Sequence, residues 1–579
     1  MSNYIDFTYD KASDPSEIIV WEQNYETREI EEKRYNIKDY LYFYVDALDD
    51  AKAEELITSQ RGTRVQKIIA DNYKALKSGE AAEYYHSINL NTYESDIEPI
   101  QKVMLDNYGQ DNMKAPQWNL ALYDIEVDVL TEESFMEMRE TASRRINAVS
   151  VWYAKPNKFY EFALVPDLLQ PEWDFDAEPE VRGNSTIIYF DNEPDLLDTF
   201  FEMNKYYETV ALGAWNGDFF DTGYIFKRCR HIWNEKTAAS KMGRFSKIRK
   251  NKIEMNGKDE ILYRPIGLIW YDCLEAYKKN GPELESFALA AVAEEEGVAS
   301  KIEFEGNFET LFHGSRKDRE RFIELTPDSK RSKLLERSSA LCDGLVEEIY
   351  PHMWEKVKDD TTMIEPEKET RCQILITDYL TDLLDDEEFM GDLSKSQQED
   401  FERFVLYKKF KDTFNLFLDY SIQDTQILYD LEMKLKKFDT LSMLAQYNVS
   451  YFQDVFSTLK QVEQGLVNFA HNNNKKVVID RHYDKYKQEY NKYVDPELLR
   501  IRDENDYRLL PEDDELTKEW KTLTSQAKIP GAHVLLPQVG LISFDDEVTP
   551  ELAREFKTLK EELKEIDKQL EEMEMEEED

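Results

Sequence analysis

The run Asn119-LALYDIEVDV-Leu130 sets Asp124 and Glu126 two residues apart inside an otherwise apolar strand. A pleated strand turns residues i and i+2 to one face, so the two carboxyls point the same way. Such a pair repels unless it sits at a wet edge, shares a proton or shares a cation. The apolar flank of Leu120, Leu122, Ile125, Val127 and Val129 argues against a wet edge. A divalent cation held by hard oxygen ligands is the sharper reading. With 120 Asp and Glu among 579 residues, Asp-x-Glu triplets also arise by chance. The triplet takes its meaning from what accompanies it.

At this length two to four domains are expected, each with room for a core. Hydrophobic residues make up 41% and aromatics 13%, which is a globular composition. The formal charge of −47 argues against a large basic nucleic-acid groove built by this chain alone. It suits metal sites or a basic partner. Cys229, Cys273, Cys342 and Cys372 lack the spacing of a zinc site or a disulfide framework. No apolar run reaches membrane-span length and residues 1–20 lack the order of a signal peptide, so no membrane is expected and a reducing cytosol is the simple inference.

Residues 1 to about 115 mix strand-like runs (Ile18–Trp21, Tyr40–Val45) with polar helical stretches. From Leu120 strands and helices alternate. Strands are predicted at Leu120–Val129, Ile146–Tyr153, Phe159–Val165, Ser185–Phe190 and Thr209–Trp215, and a helix at Asp195–Met203 just after Pro194. That alternation predicts an α/β layer structure. Asn256-Gly257 between strand-like arms is a hairpin signal. Residues 314–410 are polar, acidic and helical, and 411–470 are amphipathic helices. Leu552, Phe556, Leu559, Leu563, Ile566, Leu570 and Met573 form a heptad seam.

Two later segments supply more carboxylates. Ala214-WNGDFFDTGY-Ile225 follows a predicted strand and puts Asp221 at a helix start, where it could equally be an N-cap. The helical segment 412–435 holds Tyr420 and Asp424 at i and i+4, on one helix face; the bland reading is an exposed pair. His313 and His352 are not expected to be ligands.

The order Asp124-Ile-Glu126, then Asn216-x3-Phe220-Asp221, then Tyr420-x3-Asp424 resembles the three exonuclease motifs of family B DNA polymerases. The phage-type, T4-like members are the nearest match. Supporting resemblances are Thr92–Ile97, the Asn256-Gly257 hairpin, and the strand and helix of 268–279 followed by 285–297. The resemblance implies an α/β, RNase H-like (DnaQ-like) 3′-5′ exonuclease domain at 116–440, with a helical acidic insertion at about 314–410. An α+β N-terminal domain would occupy 1–115. Residues 441–579 would hold a linker, a truncated palm approach (530–546) and the heptad helix. The gap from Asp221 to Asp424 is longer than in the family. The palm motifs Ser-Leu-Tyr-Pro-Ser and Tyr-x-Asp-Thr-Asp and the fingers motif Lys-x3-Asn-Ser-x-Tyr-Gly do not occur.

The expectation is therefore the proofreading part of a split polymerase, in the cytoplasm of an infected host cell. Its palm, fingers and thumb would sit on a second chain, with DNA (a single-stranded 3′ end or primer-template) and a sliding clamp as further partners. The resemblance implies two Mg²⁺ or Mn²⁺ ions among Asp124, Glu126, Asp221 and Asp424, with Asp124 bridging both. Glu126 and Asp424 would hold the nucleophile-side ion, Asp221 would act mainly through water, and Tyr420 would orient the attacking water. Asn216 and Phe220 would line the single-strand channel, and Asn256 and Gly257 would touch DNA from the hairpin. The alternative is a catalytically silent scaffold that positions the polymerase half.

Overall fold

In the computed structural model, residues 2–477 are described apart from 11–15, 25, 48–55, 60–61, 89, 110–116, 130–134, 256–257, 280, 299–300, 303, 305–306 and 361–364. The heptad seam, the palm approach and Asn256-Gly257 lie outside the described residues. The chain divides into two units, 1–10 with 18–34 and 112–457, and 11–17 with 35–111 and 458–579. This division puts two early segments with the large α/β unit, where the sequence suggested a single N-terminal domain over 1–115. The smaller unit holds a four-stranded sheet, in which Tyr42–Asp46 lies between Arg64–Ile69 and Thr92–Tyr93, and the helices Pro99–Tyr108 and Thr458–Asn472.

The larger unit is built on a seven-stranded sheet. Its strands are β1 (Leu120–Val127), β2 (Ile146–Tyr153), β3 (Lys158–Leu164), β4 (Glu180–Arg182), β5 (Ser185–Phe190), β6 (Ala211–Ala214) and β7 (Ile269–Asp272). The spatial order is β4-β5-β3-β2-β1-β6-β7. β1 pairs antiparallel with β2 and parallel with β6, which pairs parallel with β7. The carboxyl ends of β1, β6 and β7 therefore open on one edge of the sheet, where open α/β sheets place their ligands. The predicted strands are present with slightly different ends. β1 stops at Val127 after an irregularity between Glu126 and Val127, and β6 is trimmed to four residues. The short edge strand β4 carries no sequence signal and was not expected.

Both faces of the sheet are covered, and the strand periodicity shows how. Ala121, Tyr123 and Ile125 face a core shared with α1 (Glu193–Tyr206) and α2 (Asp221–Ile232). In α1 Asn192 caps the first turn and Pro194 fits it. The other face is crossed by one long helix. Three helices, α3 (Arg331–Val357), α4 (Glu365–Leu384) and α5 (Lys395–Leu435), pack around Cys342, Ile349, Met353, Cys372, Ile376, Leu380, Phe401 and Val405. The 41 residues of α5 begin in a Ser394–Gln397 capping box and end where Lys436 turns left-handed at φ 51°. The sequence reading ends the acidic insertion at about 410, inside the exonuclease domain; one helix runs through that position unbroken, because no Pro or Gly interrupts 395–435.

Along β1, β2 and β3 the strand registers arrange the residues beneath α5 in rows. Leu122, Trp152 and Phe159 form one row, in a core with Ile427, Leu428 and Leu431. Glu126, Ala148 and Ala163 form another, whose two alanines pack with Phe414, Phe417 and Leu418. Between these lies an all-polar row of Asp124, Ser150 and Glu161. The opening oddity of the sequence is one end of this row.

The hairpin is present, its ladder of Ile248–Met255 and Lys258–Pro265 closing at Met255 opposite Lys258.

Candidate metal centre and nuclease site

Ligand oxygens of Asp124, Glu126 and Asp424 all lie within 4.8 Å of one another. Asp124 and Glu126 are half-buried and Asp424 is buried. The pairing follows from packing: Ile427 and Leu428 anchor α5 on the Leu122 row, and one turn back the same helix face presents Asp424 to the polar row. Tyr420, a further turn back, is buried between the rings of Phe304 and Phe308 at 5.5 and 5.3 Å. The exposed-pair reading of Tyr420 and Asp424 is thereby removed.

Asp221 is buried at the first residue of α2, and the N-cap position belongs to Phe220. The N-cap reading of Asp221 does not hold. Its carboxyl lies beside the Ile125 amide and Asp124, so it borders the same cluster. Asn216 sits in the turn after β6 with φ 63°, its carbonyl accepting from the amides of Phe219 and Phe220. The Phe220 ring packs on Tyr224 at 5.4 Å. Within the described residues, five sequence-selected side chains thus converge: Asp124, Glu126, Asp221, Tyr420 and Asp424.

The electrostatics are those of crowded acids. Burial, then the Asp424 carboxylate, pushes Asp124 up to about 7. Burial and the same neighbours raise Glu126, burial and Asp124 raise Asp221, and burial raises Asp424. Hard oxygen donors this close, with Asp424 Oδ1 buried and without a partner, fit divalent cations of the Mg²⁺ or Mn²⁺ kind.

Sequence reasoning missed three contributors. The Lys301 ammonium lies 2.5 Å from Asp424 Oδ2 and 3.1 Å from the Tyr420 hydroxyl, so it offsets part of the repulsion and fixes the phenol. Nothing in the spacing of an isolated lysine marks it. Asp272 ends β7 and accepts from the amides of Asp218 and Glu275, and burial followed by Asp218 holds it near 7. An acid at the carboxyl end of a parallel strand was the available signal. Arg264, on the hairpin, pairs with Asp218. The Asn216–Asp221 turn is therefore clamped from β7 and from the hairpin stem. His313 bonds Asp128 at 2.9 Å, a partner that accounts for it without a metal.

The family described as DNA polymerase family B, exonuclease domain, matches residues 69–292. That span includes Asp124, Glu126, Asn216, Phe220 and Asp221 but stops short of Lys301, Tyr420 and Asp424. Two similar proteins are the DNA-directed DNA polymerases of Escherichia phage RB69, 27% identical over 228 residues, and of Enterobacteria phage T4, 29% identical over 226 residues. Each match covers 36% of this chain and 24% of the relative's length. Over residues 69–292 the chain thus matches the exonuclease domain of DNA polymerase family B, with an RNase H-like α/β sheet bearing the acidic centre, and it resembles two phage DNA polymerases over about a quarter of their length.

Proposed function

We propose that the chain is a 3′-5′ exonuclease that removes nucleotides from DNA ends and serves proofreading in replication. The observation that carries this reading is the convergence of Asp124, Glu126 and Asp424, from a strand and a helix nearly 300 residues apart in sequence, with Asp221 and Tyr420 at their side. A scaffold has no physical need to hold repelling acids together.

Asp124, Glu126 and Asp424 would hold two divalent cations, with Asp221 acting through water. When bound, the cations supply activation of a water and neutralisation of the leaving 3′ oxygen. The chain's own residues do the rest. Tyr420, fixed by Lys301 and two phenylalanine rings, orients the attacking water through its hydroxyl. Asn216 and Phe220 border the strand's path, and Asn256 and Gly257 would contact the DNA. A single-stranded 3′ end suits an enclosed site, so frayed or mismatched termini are preferred.

We further propose that the palm, fingers and thumb belong to a second chain, with a sliding clamp as an additional partner, in an infected host cell. A charge of −47 is complementary to a basic DNA-gripping half. No helix among the described residues is long and apolar enough to cross a membrane.

The test is Mg²⁺-dependent release of mononucleotides from a 5′-labelled single strand, faster than from paired duplex. Chelation should stop it. Bound Mn²⁺ with no release would favour the scaffold reading. In the same assay Lys301→Met should lower kcat about tenfold or more, because the phenol loses its ammonium partner. Unchanged kcat would remove Lys301 from the site.

A further inference from the structure

The polar row does not end at Asp124. Two strands away, Glu161 is fully buried, with neither carboxyl oxygen in a well-aligned hydrogen bond although the hydroxyls of Ser421 and Ser150 act on it. It stands opposite Ser150, which stands opposite Asp124. Ser150 and Ser421 are also fully buried with unpartnered hydroxyls, and Thr425 on the same turn of α5 shares that condition. The hydroxyls acting on Glu161 are those of Ser421 above and Ser150 beside it. Buried polar atoms are rarely left without partners, and a group of them in one place calls for an explanation.

Among the described residues, the charged and titratable groups that interact with Glu161 include Asp124 and Glu126 from β1, Arg182 from β4 and Tyr189 from β5. Arg182 is the cation among these, but its guanidinium already bonds Glu180, Asn415 and Asp419. A buried carboxylate with no cation of its own takes up a proton. Burial accordingly pushes Glu161 up to about 8. As a neutral acid it gains an O–H donor and stops adding negative charge beside Asp124.

We propose that Glu161, in the floor of the site, is a positioning residue that seats α5 through Ser421 so that Tyr420 and Asp424 face Asp124 and Glu126. Ser421 adjoins Tyr420 and stands three residues before Asp424, so the rotation of α5 that satisfies Glu161 also aims both. An acid in this place leaves the cluster free to hold cations, where an ionised glutamate would compete for them. This rests on the exonuclease reading for its kinetic part only.

The experiment compares Glu161→Gln and Glu161→Leu in the full chain. Gln reproduces the shape and hydrogen bonding of the neutral acid and should keep kcat at pH 7, and also above pH 8, where the wild type declines. Leu keeps the volume without the polar contact and should lower kcat about tenfold or more, with KM for single-stranded DNA little changed and the fold intact. An infrared carbonyl band of a protonated carboxylic acid should be present in the wild type near pH 7 and lost in Glu161→Gln. Wild-type kcat in Glu161→Leu, or absence of that band together with an inactive Glu161→Gln, overturns the proposal. If the wild type releases no nucleotide, the exonuclease reading fails. The infrared band and Mn²⁺ affinity, kept by Gln and weakened by Leu, still decide the role of Glu161.

Discussion

Asp124→Ala/Glu126→Ala should release nucleotide at least about a thousandfold more slowly than the wild type, a loss on the order of 4 kcal/mol of transition-state stabilisation. Both carboxylates belong to a cluster whose oxygens lie within 4.8 Å of each other, so their removal leaves Asp424 without the two acids beside it. The same variant should be folded and, without metal, more resistant to heat than the wild type at neutral pH. The reason is that burial and mutual repulsion raise both groups, and alanine ends the repulsion. Loss of function with a gain in stability is the pattern of residues kept for chemistry. Thermal unfolding and the digestion assay on one preparation give both readings. Retained release contradicts the assignment of these acids.

The second large effect joins pH to metal. Asp124 and Asp272 near 7, Glu161 near 8, and raised Glu126, Asp221 and Asp424 each keep a proton to higher pH in the folded chain than in the unfolded one. The unfolded state then binds fewer protons, so stability falls as pH rises. The window runs from about 4.5 to about 8, and the contribution is fully present below it. Metal-free protein should therefore melt at a higher temperature at pH 5 than at pH 8. Mg²⁺ should reverse the loss at pH 8 and do little at pH 5, where its ligands are protonated. At a hundred times Kd the gain is about 2.7 kcal/mol, or a rise of several degrees. In Asp124→Ala/Glu126→Ala both the pH slope and the response to Mg²⁺ should shrink. A melting temperature indifferent to pH and to Mg²⁺ in the wild type would sink the metal reading.

What was legible in the sequence followed from period and local chemistry. The two-residue period of β1 put Asp124 and Glu126 on one face, and the four-residue spacing of Tyr420 and Asp424 put them on one side of a helix. Pro194 marked the start of α1, and Asn256-Gly257 marked the hairpin that closes at Met255 and Lys258. Contacts across the fold left little trace. Lys301 is an isolated lysine until α5 is laid on the sheet, and Arg264 reaches Asp218 from another element. Glu161 sits in Lys158-FYEFA-Leu164 as an acid on an apolar strand, the same signal that drew attention to Asp124. No second acid accompanies it there, so the strand period alone gives it no partner. The change from acidic to apolar composition near 410 does not show in the helix, because a helix is broken by backbone chemistry and not by composition.

The unbroken helix has a consequence for how this protein can vary. Phe401 and Val405 of α5 are fixed in the three-helix core, and Phe414, Phe417 and Leu418 are fixed against the sheet. Inserting a single amino acid between Val405 and Phe414 would swing one half about 100° around the axis relative to the other. Both halves cannot keep their seats after such a swing, so length here is quantised. Drift by substitution is open to the acidic bundle, whereas a one-letter gain or loss between those anchors would be purged.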